Sequence, residues 1–130
     1  MNSWAQLLAV AAGGAGGAVL RYLVNELFRA RAMTGLPWAT LSVNVIGCLL
    51  AGALLVWLES RGPGSLLWRN LLMVGFLGGL TTFSAFGVEL LQFLRLGRVD
   101  LALLMIGLNV GLGLAAVVAG WKAGRILFAA

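Results

Sequence analysis

The sequence lacks histidine, has a single cysteine, and only 10% of its 130 residues are charged. Because zinc and haem sites draw mainly on histidine and cysteine, neither kind of site is expected. Cys48 has no second cysteine in the chain, so an intramolecular disulfide is excluded. The apolar runs also lack paired carboxylates and a deep lysine that could transfer protons, and an enzyme is therefore not expected.

Apolar residues are what the sequence has in abundance. They make up 62% of the chain, and the mean hydropathy is +1.03. A soluble domain is closer to half apolar and about a quarter charged, so lipid is the expected surrounding for most of this surface. The net charge of +5 does not predict a nucleic-acid partner, because the cations lie almost entirely at the ends of apolar runs, where they flank membrane spans.

Four apolar runs have about the length of a membrane-crossing helix. They cover residues 4–28, 38–58, 68–94 and 101–127. The connectors are short and contain helix breakers, among them Gly35, Gly62 and Gly97. The tryptophans lie near the ends of the runs, as expected at the two membrane interfaces. The prediction is an all-α membrane protein in which residues 1–130 form a single four-helix domain.

The cations at the two ends of the predicted bundle are equal in number. They are Arg61, Arg69, Lys122 and Arg125 on one side, and Arg29, Arg31, Arg95 and Arg98 on the other. An even balance gives the positive-inside rule almost no preference. Copies inserted in opposite directions could then pair about a two-fold axis in the membrane plane. The alternative is that a weak bias decides one orientation.

Glycines recur at the four-residue spacing that lets helices approach closely in lipid. The pairs are Gly13 with Gly17, Gly107 with Gly111, and Gly120 with Gly124. Helix packing is a sufficient explanation for nearly all of them, and they indicate no particular substrate.

The third span contains a segment, residues 75–86, that is poorly suited to a continuous helix. It holds three glycines, followed by Thr81 and Thr82, and both residue types have low helix propensity. A break here would free backbone carbonyls and amides in the membrane, where they are tolerated only against protein, water or an ion. The alternative is a close helix crossing whose threonines bond back to their own backbone.

Polar and aromatic side chains inside the spans are candidates for function. Phe83 and Phe86 share one helix face, where packing is the usual role of such a pair, and their positive ring edges could alternatively face an anion. The Asn44 amide could offer two donors to an anion or could bond between helices, and Asn109 presents the same alternatives. Glu89 lies three residues beyond Phe86 and could cap the end of that face or reach toward the interface.

Arg21 lies inside the first span, where it could line an aqueous vestibule or reach the interface.

The run over residues 75–86 resembles the third-span signature of the small bacterial fluoride channels called Fluc or CrcB proteins. Two further motifs support the resemblance: Gly14-x-x-Gly17-x-x-x-Arg21-Tyr22 in the first span and Val43-Asn44-x-x-Gly47 in the second. The similarity covers essentially the whole chain, and its most specific part is the run in the third span.

The resemblance implies a dual-topology antiparallel homodimer in the bacterial inner membrane that exports fluoride passively through two pores. It further implies a central sodium ion held by the backbone carbonyls of Gly78 and Thr81 from both subunits. The candidate pore residues are Asn44, Phe83, Phe86, Ser84, Thr82, Asn109, Arg21 and Glu89. The fourth span departs from the family pattern, because over residues 104–109 Asn109 carries the only polar side chain.

Two other functions fit a small four-span protein. A small multidrug exporter would need a titratable carboxylate deep in its first span, and there is no acid before Glu26. A structural or assembly protein would use Asn44 and the third-span segment only for packing. Anion flux through the purified protein in vesicles distinguishes a structural protein from a channel.

Overall fold

The computed structural model describes residues 3–31 and 35–128, and within these ranges the secondary structure is helical throughout. Helix α1 covers Ser3–Ala30, α2 covers Trp38–Ser60, and a short 3-10 turn covers Gly62–Ser65. The third span, Leu66–Arg95, is divided into α3 over residues 66–80 and α4 over Phe83–Arg95. Helix α5 covers Val99–Phe128.

The four spans are long and apolar enough to cross a membrane, which confirms the predicted all-α membrane protein with a break in its third span. The protein is thus a multi-pass membrane protein. Most helix ends lie one or two residues beyond the apolar runs. The run marks only the part inside hydrocarbon, whereas the helix can continue into the interface because its backbone groups bond within the segment. Gly62 and Gly97 in the connectors have positive φ angles of 66° and 70°.

Helix α1 packs against α3 along its glycine face. Gly13 lies against the Leu71 carbonyl and Gly17 against the Phe76 carbonyl, so closely that a Cβ atom at either position would overlap the backbone. Within α3, residues Arg69–Leu77 form a π-helix. The spacing of small residues in α1 therefore serves close helix packing, in agreement with its pattern in the sequence.

Helix α2 packs against α5 in a similar way. Gly120 of α5 lies against the Leu49 carbonyl of α2, and a Cβ atom there would again overlap the backbone. Gly107 and Gly111, by contrast, have no neighbouring heavy atom within 4 Å of the position a Cβ atom would take. Of the small-residue pairs on α5, the one at 107 and 111 thus faces away from the other helices of the described chain.

Two small clusters of buried side chains place α2 across the break in the third span. One consists of Leu41, Phe86 and Met105, and the other of Val43, Leu77 and Leu80. Because α2 contributes to both clusters, it contacts the third span before and after the break. This packing brings Asn44, the residue after Val43, beside the break.

Candidate functional site at the break in the third span

The third span is interrupted at two threonines with extended backbone. Thr81 has φ −80° and ψ 155°, and Thr82 has φ −151° and ψ 118°. The Thr81 hydroxyl donates to the Leu77 carbonyl at 2.9 Å, so this side chain closes the end of α3. The Thr82 hydroxyl accepts the Ala85 N–H at 3.1 Å and caps the start of α4. The two threonines therefore end one helix and begin the next.

The side chain of Asn44 bridges the break from α2. Its Oδ1 accepts the Thr82 N–H at 2.9 Å, and its Nδ2 donates to the Thr82 carbonyl at 3.3 Å. The same Nδ2 donates to Asn109 Oδ1 on α5 at 3.1 Å. Asn109 Nδ2 in turn donates to the Met105 carbonyl at 3.1 Å. Both backbone groups of Thr82 are thus satisfied by a network that joins three spans.

Because the Thr82 and Ala85 N–H groups bond to side chains at the break, two backbone carbonyls lose their usual helical donors. In a continuous helix the Gly78 carbonyl would accept the Thr82 N–H, and the Thr81 carbonyl would accept the Ala85 N–H. Here those two donors bond to Asn44 Oδ1 and to the Thr82 hydroxyl instead. Carbonyl oxygens are suitable ligands for a hard cation and cannot donate to an anion. The carbonyl groups of Gly78 and Thr81 therefore have the chemistry that a hard cation requires of its ligands.

A cavity of about 260 Å³ lies beside the break and brings together most of the predicted pore residues. The Phe83 and Phe86 rings are 5.7 Å apart between centroids and inclined by 59°. Phe86 is buried at 5% exposure, whereas Phe83 is 84% exposed. The residues that line the cavity are Asn44, Cys48, Thr81, Thr82, Phe83, Phe86, Asn109 and Val110.

The remaining predicted pore residues lie elsewhere. Arg21, Ser84 and Glu89 line a separate open depression of about 510 Å³, which shares only Thr82 with the first cavity. Glu89 Oε1 accepts the Thr40 hydroxyl at 2.5 Å, while its buried Oε2 has no hydrogen-bond partner among the residues described. The predicted set thus divides into two neighbouring sites, both of which border Thr82.

Several residues of these sites were not among the predicted ones. They are Cys48 and Val110 in the cavity, Ala85, Val88 and Gln92 in the depression, and Thr40, which bonds to Glu89. Thr40 and Cys48 lie four residues before and after Asn44, on the same face of α2, so helical spacing from Asn44 was a signal for both. Val110 carries no comparable signal, because it is one of many aliphatic side chains on α5.

Comparison with known proteins gives a consistent result. Residues 8–121 match the family described as CrcB-like protein, Camphor Resistance (CrcB). A protein of Xanthomonas euvesicatoria pv. vesicatoria named "Fluoride-specific ion channel FluC" is 46% identical over 97% of this chain and 95% of its own length. Proteins of the same name from Xylella fastidiosa and Rhizobium johnstonii are 43% and 40% identical, over 95% and 94% of this chain and 87% and 98% of their own lengths.

Proposed function

The chain belongs to the CrcB-like protein family, and we propose that it is a fluoride-selective channel that exports fluoride passively across a bacterial inner membrane. The observation that carries the proposal is the polar break in the third span, set beside a cavity lined by Phe83 and Phe86. Relatives that span nearly the same length are named as fluoride-specific channels. Passive loss of the ion would relieve its toxicity in the cytoplasm.

The chemistry of the cavity suits a small anion that has to be released quickly. Fluoride is strongly hydrated, so a pore replaces water with donors while binding loosely enough to let the ion leave. The cavity offers the positive edges of two phenylalanine rings and the Nδ2 donor of Asn44. None of its lining residues carries a formal positive charge that would trap the anion.

The functional unit in this proposal is an antiparallel homodimer with two pores. Phe83 is exposed although it lines the cavity, and Gly107 and Gly111 present an unfilled surface suited to close packing. The equal numbers of cations at the two ends of the bundle support insertion in both directions. A second copy would then cover these surfaces and close the open side of each cavity.

At the centre of the dimer the carbonyls of Gly78 and Thr81 from both copies would hold a sodium ion. Their usual N–H partners are engaged elsewhere, so these oxygens are available as ligands. A bound cation would supply a favourable potential for an anion nearby without placing a charged side chain in its path. The role of this chain's residues is to keep those oxygens free, which Asn44 and Thr82 do by taking the competing donors.

The decisive experiment is ion efflux from vesicles that contain the purified protein. We expect rapid fluoride release and little chloride release, measured with ion-selective electrodes on vesicles loaded with either salt. Protein-free vesicles give the background. Equal release of both ions would contradict selectivity, and no release from folded protein would contradict the channel itself and favour a structural role for the break.

A further inference from the structure

The orientation of the Asn109 side chain follows from a chain of hydrogen bonds that begins at the backbone. The Thr82 N–H can only donate, so the atom of Asn44 that faces it at 2.9 Å has to be the amide oxygen. Asn44 Nδ2 then faces Asn109, whose nearest atom has to be an acceptor, Oδ1, at 3.1 Å. Asn109 Nδ2 consequently points to the Met105 carbonyl. One backbone donor therefore sets both amides.

In this arrangement both N–H bonds of Asn44 have acceptors. One goes to the Thr82 carbonyl at 3.3 Å within the break, and the other goes to Asn109 Oδ1 across the space between α2 and α5. Asn44 and Asn109 both line the 260 Å³ cavity. An anion in the cavity can accept from Asn44 by taking the position of the Asn109 oxygen, which belongs to a mobile side chain, whereas the Thr82 carbonyl is part of the backbone at the break.

We infer that Asn109 sets the affinity of the pore for fluoride, because its Oδ1 competes with fluoride for the same Asn44 N–H. This inference rests on the proposed fluoride channel. When the cavity holds no anion, the Asn109 oxygen keeps this partly buried donor satisfied. When fluoride arrives, the bond between the two amides opens and the ion accepts in its place. The exchange of one acceptor for another weakens net binding and favours release. Asn109 is thus an affinity-determining residue that acts through Asn44.

The test compares two substitutions that both remove the donor to Met105 but differ at the acceptor. Asn109→Leu removes the competing oxygen, and we expect the half-saturating fluoride concentration for efflux to fall about three- to tenfold, the effect of one net hydrogen bond. Asn109→Asp keeps an oxygen at that position and adds negative charge, so the half-saturating concentration should rise. If the Asp variant does not form a folded protein, Asn109→Met provides a second side chain without the competing amide oxygen and should behave like Leu.

A role in packing alone predicts a different pattern. Loss of the hydrogen bond to the Met105 carbonyl would then lower the maximal flux or the melting temperature in every variant. The half-saturating fluoride concentration would not fall in Asn109→Leu or Asn109→Met. Such a result would overturn the inference while leaving the channel intact. Asn25→Leu, on an exposed face of α1, is the control for loss of an amide outside the cavity. Parent protein that moves no fluoride would overturn the proposed function and this inference together.

Discussion

At the scale of single residues, Asn44 combines a structural role at the break with a place in the proposed pore. Its amide accepts the Thr82 N–H and donates to the Thr82 carbonyl, so it replaces the backbone partners that the break removes. It also lines the cavity with Phe83 and Phe86. A partly buried donor left without a partner costs about 1–3 kcal/mol, which explains why a polar side chain is useful here.

We therefore expect Asn44→Ala to reduce fluoride flux at least about tenfold and to lower the free energy of unfolding by about 1–3 kcal/mol, because the Thr82 N–H loses its partner. Phe83→Ile, which removes a ring edge from the cavity but no hydrogen bond, should reduce flux with little loss of stability. Efflux and thermal melts in detergent measure the two effects. Ser42→Ala, a neighbouring polar position of α2, is the control, and full flux in both variants would remove Asn44 and Phe83 from the pore.

At the scale of helices, the proposed channel uses one interruption of the third span for two ions of opposite charge. The break turns the Thr82 N–H toward Asn44 and leaves the Gly78 and Thr81 carbonyls without their usual helical donors. Acceptor oxygens suit a cation, while the amides and ring edges of the cavity suit an anion. The helix ends are stabilised locally, since the Thr82 hydroxyl caps α4.

If the freed carbonyls hold sodium, the protein should melt at a higher temperature in sodium chloride than in potassium chloride of equal ionic strength. Saturating sodium at about 100 times its dissociation constant would add about 2.7 kcal/mol to the free energy of unfolding. Asn44→Ala removes the side chain that holds both backbone groups of Thr82 at the break, so the carbonyl ligands lose their fixed positions and this variant should show a smaller difference between the two salts. Identical melting temperatures of the parent protein in both salts would contradict the sodium site.

At the scale of the whole molecule, the outer surface carries many exposed apolar side chains and an even distribution of cations. The apolar surface is compatible with lipid and with a second copy of the chain. The even distribution removes the usual preference for one orientation. Together these features support the proposed dimer of oppositely inserted subunits. In that dimer the exposed surfaces at Phe83 and at Gly107 and Gly111 of one copy would be covered by the other copy.

Dual insertion can be measured with single cysteines at opposite ends of the bundle. In a Cys48→Ala background, Leu127→Cys and Leu96→Cys place exposed thiols at the end of α5 and after α4. A membrane-impermeant maleimide added outside intact cells should label about half of the copies at each position, because neither orientation is favoured. A single orientation would instead give full labelling at one position and none at the other.

The sequence alone determined that the chain resides in a membrane and that it crosses four times. It indicated a break in the third span near Thr81 but left a close helix crossing as the alternative, and the structure shows the break. These properties follow from local chemistry, because hydropathy depends on runs of residues and helix continuity depends on nearby propensities. The resemblance of three motifs to the fluoride channels was also readable in the chain, and the family match agrees with it.

Only the tertiary structure decided which candidates act together. Asn44 and Asn109 were each open to two interpretations, and their pairing depends on how α2 and α5 are rotated about their axes. The arrangement of α1 and α4 places Arg21 and Glu89 in a separate depression, and the rotation of α5 leaves Gly107 outside the helix contacts of the described chain. Contacts between distant segments arise from helix packing, which residue spacing within one helix does not specify.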